Sequence, residues 1–186
     1  MAIVINGSGT VTGLAVGGLP DGTVDAGTLA TDSVTAAKLE VSAITGADLP
    51  AGSVLQVVQG SSTTSTTTSS SSYVASGLSA NITPSSTSSK ILVFATFSLD
   101  TDVGGRQFYV AFYRGTNNLN GAANADAWGT LYAPDRAIAQ CSGQQLDSPS
   151  STSELTYSVK FKSPSGAIEF TSQGTVSYIT LMEIAG

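Results

Sequence analysis

The stretch Leu155-Thr-Tyr-Ser-Val-Lys-Phe-Lys162 alternates large apolar residues (Leu155, Tyr157, Val159, Phe161) with Thr156, Ser158, Lys160 and Lys162. A period of two over eight residues is that of a β-strand with one face in a core and the other turned to solvent. Working outward, Ile91 to Leu99, Arg106 to Arg114 and Tyr178 to Ile184 carry apolar or aromatic residues at both parities. Such strands want both faces covered. Further strands are predicted at Val54 to Gln59, Ser72 to Ala75, Ala80 to Thr83 and Ala167 to Ser172. Turn signals fall between them at Asp102-Val-Gly-Gly, Asn120-Gly121, Ser163-Pro-Ser-Gly and Gln173-Gly174. The pattern predicts an all-β, jelly-roll-like sandwich over residues 55–186. No long amphipathic helix is available to cover the second apolar faces, which points to a subunit interface. The run Ser61 to Ser72 is all Ser and Thr. It reads equally as a disordered linker or an exposed strand.

The chain has 186 residues, enough for one ordinary domain, or a smaller one with an extended appendage. Charged residues make up 11%, well below the ~25% usual for globular proteins, and histidine is absent. Seven Lys+Arg against thirteen Asp+Glu give a net charge of −6, which leaves no basic surface for nucleic acid. No run is apolar enough for a membrane span, and the N-terminus has no signal-peptide pattern.

All thirteen aromatic residues lie from Tyr73 onward, while half of the twenty glycines lie in the first sixty residues. A region so poor in large side chains cannot offset backbone ordering of ~1–2 kcal/mol per residue by burial within itself. It repeats every ten residues instead. Leu14, Val24, Val34, Ile44 and Val54 form one aliphatic column; Leu19, Leu29, Leu39 and Leu49 form a second, displaced by five. Val16, Ala26, Ala36 and Gly46 form a column of small residues between them. The period is neither seven nor eleven, and Gly and Pro recur, so a coiled coil is not expected. Each unit presents apolar residues it cannot bury alone, so the columns read as seams between intertwined chains. A flexible tail is the competing reading.

Without histidine there is no Ser-His-Asp, Cys-His or His-metal site, and Cys141 alone cannot build a thiolate cluster. Cys141 reads as a small buried hydrophobe. A carboxylate pair acting on a glycan needs only two acids, but those of the sandwich (Asp100, Asp102, Asp126, Asp135, Asp147, Glu154, Glu169, Glu183) flank strands or sit in turns, where solvated acids are expected. Asp100-Thr-Asp102-Val-Gly104 lacks the later ligands of a calcium loop and reads as a turn. The expectation is a protein that is not an enzyme, with no catalytic residue, no metal and no cofactor. The informative loop runs from Gly115 to Arg136. Its Asn117, Asn118, Asn120, Trp128, Tyr132, Asp135 and Arg136 combine hydrogen-bonding groups with aromatic faces, as a carbohydrate platform does. A long hairpin loop with Trp128 and Tyr132 anchored in the core is the structural alternative.

Two sets of phrases resemble bacteriophage tail fibre proteins. Asp32-Ser-Val-Thr-Ala-Ala-Lys-Leu39 is similar to the repeated phrases of phage fibre stems. Val54-Leu-Gln-Val-Val-Gln59, the Ser/Thr run, Ser79-Ala-Asn-Ile-Thr-Pro-Ser-Ser-Thr-Ser-Ser-Lys-Ile-Leu-Val93 and Tyr178-Ile-Thr-Leu-Met-Glu-Ile184 are similar to a terminal module seen with them. The resemblance implies a homotrimer, made in the host cytoplasm and carried on the virion as a tail appendage. It implies a virion-attachment segment at 1–13 that binds a baseplate, tail or capsid protein, a trimeric stem at 14–54, and a head at 55–186 that faces the host surface; the partner expected there, from the loop residues, is a host-surface glycan. The stem is short for a long fibre. A capsid-decorating head fibre without receptor specificity therefore stays open, as does a polysaccharide depolymerase.

Overall fold

The structure is a computed structural model that describes residues 4–5, 11–12, 31, 34–35, 39, 44–101, 103–120 and 129–186, with backbone alone at 4–5, 11–12, 47 and 129–133. The chain divides into two compact units, Met1–Ile44 and Thr45–Gly186. In the first, β1 (Val4–Ile5) pairs antiparallel with β2 (Val11–Thr12).

The second unit opens with a turn of 3-10 helix, Gly46–Asp48. Its strands are β3 (Val54–Ser62), β4 (Thr66–Thr68), β5 (Val74–Ile82), β6 (Lys90–Thr101), β7 (Arg106–Arg114), β8 (Asn117–Asn118), β9 (Gly129–Ala133), β10 (Ala137–Asp147), β11 (Leu155–Lys162), β12 (Ile168–Phe170) and β13 (Ser177–Ile184). They form two antiparallel sheets. In the first, β6 is flanked by β10 on one side and by β13 and then β12 on the other; β3 pairs with β13 and β4 with β12. In the second, the order is β5, β11, β7, and β7 pairs with β9 at its start and β8 at its end. The long strands fall in turn to the first sheet (β3), second (β5), first (β6), second (β7, β9), first (β10), second (β11) and first (β13). Eight strands exchanged in this way between two sheets make a jelly roll.

The alternation that predicts β11 places Tyr157, Val159 and Phe161 in the core, each fully buried. They meet Phe97, Leu99, Phe170, Ile179 and Leu181 of the first sheet and Phe108, Val110 and Phe112 of the second in one cluster. Phe170 stacks on Phe97 at 4.8 Å between centroids and lies 5.3 Å from Phe161, so three strands share one aromatic contact. Each such side chain contributes ~1.5–3 kcal/mol by burial.

Three expectations are refined. The strands expected at Ser72–Ala75 and Ala80–Thr83 fall on one strand, β5, which runs from Val74 to Ile82 and passes through a bulge against β11 where the register shifts between Ser158 and Lys160. Gly77, at φ +81, takes the left-handed conformation there, and Ser76 Oγ, donating to the Val159 carbonyl at 2.7 Å, fills the gap in the ladder. The Ser/Thr run is partly strand: it ends β3 and contributes β4, whose Thr66–Thr68 pair with β12. β10, eleven residues long, has no counterpart among the predicted strands.

Candidate assembly and recognition surfaces

In the first sheet the inward parity belongs to the core, and the register defines what the outward parity presents. One row across β3, β13, β6 and β10 is Val57, Met182, Leu92 and Leu146. The next is Gln59, Thr180, Phe94 and Gln144, and the third is Ser61, Tyr178, Thr96 and Ser142. Gln59 Nε2 donates to Thr180 Oγ1 at 3.1 Å, as same-face neighbours do. Val57 is 57% exposed, Leu146 50%, and Phe94 and Tyr178 are also exposed. The two-faced sequences of β6 and β13 therefore fill the core with one parity and leave an apolar outer surface with the other.

The two-faced sequence of β7 has a different outcome. Its outward Tyr109 and Tyr113 lie beside Lys160 and Lys162 of β11 and next to Tyr73. Lys160 Nζ sits 4.1 Å from the Tyr113 ring centre, and Lys162 Nζ 4.5 Å from Tyr73 and 5.2 Å from Tyr109. Tyr73 meets Tyr113 edge-on at 5.8 Å. The outer face of the second sheet is thus covered by its own lysine stems and ammonium groups over aromatic rings. Sequence reasoning passed over this cluster, although Lys160 and Lys162 at alternate positions of one strand facing Tyr109 and Tyr113 of another were its signal.

The loop from Gly115 to Arg136 begins by folding back on β7. Asn120 Oδ1 accepts from the Phe112 backbone N–H at 2.7 Å, and Asn118 Oδ1 accepts from the Asn120 N–H at 2.9 Å. Asn120 Nδ2 reaches Gln145 Oε1 of β10 at 3.4 Å. Asn118 and Asn120 therefore shape the loop, while Asn117 is exposed. At the other end of β7, Asp135 is exposed, and Arg136 Nη2 donates to Asp100 Oδ2 at 3.1 Å. β9 pairs Tyr132 with Gln107, which puts the Tyr132 backbone near the Arg106 end of β7. The Asn group and the Asp135-Arg136 pair lie toward opposite ends of that strand, whose nine residues span about 27 Å at the rise of an antiparallel strand. Trp128 lies outside the described residues. Of the stem columns, Leu14, Leu19, Val24 and Leu29 also lie outside them, whereas Val34, Leu39, Ile44, Leu49 and Val54 are all exposed.

Three acids read as solvated are not. Asp100 is 4% exposed; it stands opposite Glu169 in the β6–β12 register and is paired with Arg136, and these three line a polar pocket of about 250 Å³ with Thr67 and Gln173. Asp147 accepts from Arg114 Nη1 at 2.5 Å and from the Tyr157 hydroxyl at 2.7 Å. Glu183 is fully buried and accepts from Gln56 Nε2 at 2.6 Å, the Ser85 backbone at 2.7 Å and Ser85 Oγ at 2.6 Å. Burial opposes its ionisation, but these donors outweigh burial and hold the carboxyl below its ordinary 4.5. Cys141 packs against the core, and burial raises its thiol pKa, which disfavours the nucleophilic thiolate. Among the described residues no group of three acidic or sulfur side chains is placed to hold a metal ion, and no helix is long and apolar enough to cross a membrane.

No family model and no curated protein matches the chain. Among solved structures it is similar to VP2 of infectious bursal disease virus in a subviral particle, at 12% identity over 70% of this chain and 38% of that one, with a TM-score of 0.38. A mutant VP2 of the same virus, in T=1 particles, gives 10% identity over 70% and 36%, with a TM-score of 0.38. A Bacillus endospore appendage protein, from a family of disulfide-linked pili, gives 14% identity over 74% of this chain and 96% of that one, with a TM-score of 0.31. The chain thus spans just over a third of the length of the VP2 chains.

Proposed function

We propose that the chain is a virion structural protein: a homotrimeric fibre that attaches a phage to the surface of its host, with structural and binding roles and no catalysis. The observation that carries the reading is the exposure of Val34, Leu39, Ile44, Leu49 and Val54, five members of aliphatic columns that recur every ten residues. Repeated apolar positions left uncovered by their own chain are what a seam between wound chains requires. The jelly roll supplies the second part, a rigid platform whose connecting loops are free to vary and recognise. A tail appendage and a head fibre share these features, and the stem phrases similar to those of tail fibres favour the first.

Two measurements test the proposal. Native mass spectrometry of the full chain is expected to give three chains; a stable monomer at micromolar concentration overturns the trimer. Labelling of intact particles with antibody against the chain is expected to mark tail appendages. Label confined to the capsid surface would establish the head-fibre alternative, and no label would remove the virion role.

A further inference from the structure

We infer that copies of the chain meet through the outer face of the first sheet, the surface made by the rows Val57–Met182–Leu92–Leu146, Gln59–Thr180–Phe94–Gln144 and Ser61–Tyr178–Thr96–Ser142. This rests on the trimer reading above and assigns the head surface that such a trimer uses.

Four observations converge on a second copy as the occupant. First, the rows hold twelve residues across four strands and none is charged. In a chain of net charge −6, copies repel wherever acidic surfaces meet, so a charge-free surface is where they can approach. Second, the rival face is the less suited: the outer side of the second sheet holds Lys160 and Lys162 over its own aromatic rings at its middle, whereas the first sheet's outer side has its lysine, Lys90, at the end row with Ile184 and Val54, where an ammonium group can stay in water. Third, Val54, the last aliphatic residue of the ten-residue column, is also an outward, exposed residue of β3, opposite Ile184 and beside the Val57 row, so a residue that the repeat leaves uncovered belongs to this face. Fourth, the end of the face nearest Val54 opens into a groove of about 700 Å³ whose floor is apolar (Ala51, Leu92, Leu146, Ile184) with Lys90 and Ser88 at its side, space for apolar side chains of a neighbour beside one cation. Around a three-fold axis the same face of each copy abuts the next, and one sequence feature serves all contacts.

The test uses the full chain and the exposed positions Val57 and Leu146, where a polar residue does not disturb the monomer core. The double variant Val57→Asp/Leu146→Asp is expected to shift the native mass from three chains to one with an unchanged far-ultraviolet spectrum. The control Asn81→Asp, on the outer side of the second sheet, is expected to keep three chains. Should the double variant fail to fold, Leu146→Cys in a Cys141→Ala background replaces it: maleimide labelling of the native protein is expected to be at least tenfold slower than after denaturation. A wild-type trimer that survives the Asp pair, or rapid native labelling of Leu146→Cys, overturns this face while leaving the trimer standing. A monomeric wild type overturns the trimer reading and this face with it.

Discussion

The hydroxyl of Tyr157 on β11 donates to Asp147 Oδ2 at the end of β10 at 2.7 Å, a bond from the second sheet to the first made beside the core. Arg114, at the end of β7, binds the same oxygen, so one carboxylate joins three strands and both layers. Burial, together with the neighbouring Asp147, raises the Tyr157 phenol well above its ordinary 10.0. Tyr157→Phe keeps the ring in the core and removes the bond to the charged group. It is expected to cost ~1.5–3 kcal/mol in urea unfolding. On the alkaline side the sign follows from the raised pKa. Above about pH 10 the unfolded phenol loses a proton that the folded one keeps, so wild-type stability falls as pH rises, and this component vanishes in Tyr157→Phe. Equal alkaline slopes for the two proteins would show that Tyr157 does not titrate in this way.

Glu183 gives the opposite limb. Its carboxyl is held below 4.5 by donors from Gln56 and Ser85 that outweigh burial. As pH falls below 4.5 the unfolded chain takes up a proton that the folded chain refuses, and stability drops until the folded carboxyl protonates as well. Glu183→Gln is expected to lower stability at neutral pH by ~1–3 kcal/mol and to flatten the acid limb. Thermal melts from pH 6 to pH 3 read both effects, and a variant whose acid limb matches the wild type would place the titrating group elsewhere.

How far the sequence discloses such features depends on where the information sits. β7 runs from Arg106 to Arg114, as its aromatic density predicts, because local pattern suffices there. β10 eludes the pattern because its inward residues include Ala139, Cys141 and Gly143, too small to mark a buried face, and its outward ones include Gln140, Ser142 and Gln144. Pairing with β6 along all eleven residues makes it a strand, and that is a long-range fact. The placement of Asp100, Asp147 and Glu183 is long-range too, since each is bound by a residue at least 33 positions away, Asp147 by the nearer Tyr157 as well. For the loop from Gly115 to Arg136, the sequence locates the residues but not their roles: Asn118 and Asn120 look identical to Asn117 until their hydrogen bonds are known.

Gly60 marks a place where the two layers come too close for any side chain. A Cβ there would lie 2.2 Å from the carbonyl oxygen of Ser79 on β5, a backbone atom that cannot step aside. Gly60→Ala is therefore expected to destabilise by ~1–3 kcal/mol through a shift of β3 against β5. Gly60 belongs to β3, the strand that also supplies Val57 to the outer face, so if copies meet there the same variant is expected to weaken their association. A comparison of melting temperatures tests it; a fall of less than 1 °C would mean that the strands can separate at little cost.

The last prediction concerns recognition, and it turns on separating contact residues from residues that only shape the loop. Asn120 accepts the Phe112 backbone N–H and reaches Gln145, so Asn120→Ala leaves a part-buried donor unpaired and is expected to cost ~1–3 kcal/mol. Any loss of host adsorption in that variant is then ambiguous, since the loop itself has moved. Asn117 is exposed on β8, and Asn117→Ala is expected to leave the melting temperature within 1 °C of wild type. If the host-surface glycan is bound at this end of β7, Asn117→Ala lowers adsorption at unchanged stability, and the loss is amplified because each site is presented three times in a trimer. Arg136 anchors the opposite end through the buried Asp100, so the exposed Asp135 is the residue to change there, and Asp135→Ala tests that end separately. Adsorption that falls with Asp135→Ala at unchanged melting temperature, but not with Asn117→Ala, assigns recognition to the Asp135-Arg136 end. If neither change alters adsorption while Trp128→Ala does so at constant melting temperature, the contact belongs to the middle of the loop. Full adsorption in all three variants removes the loop from recognition altogether.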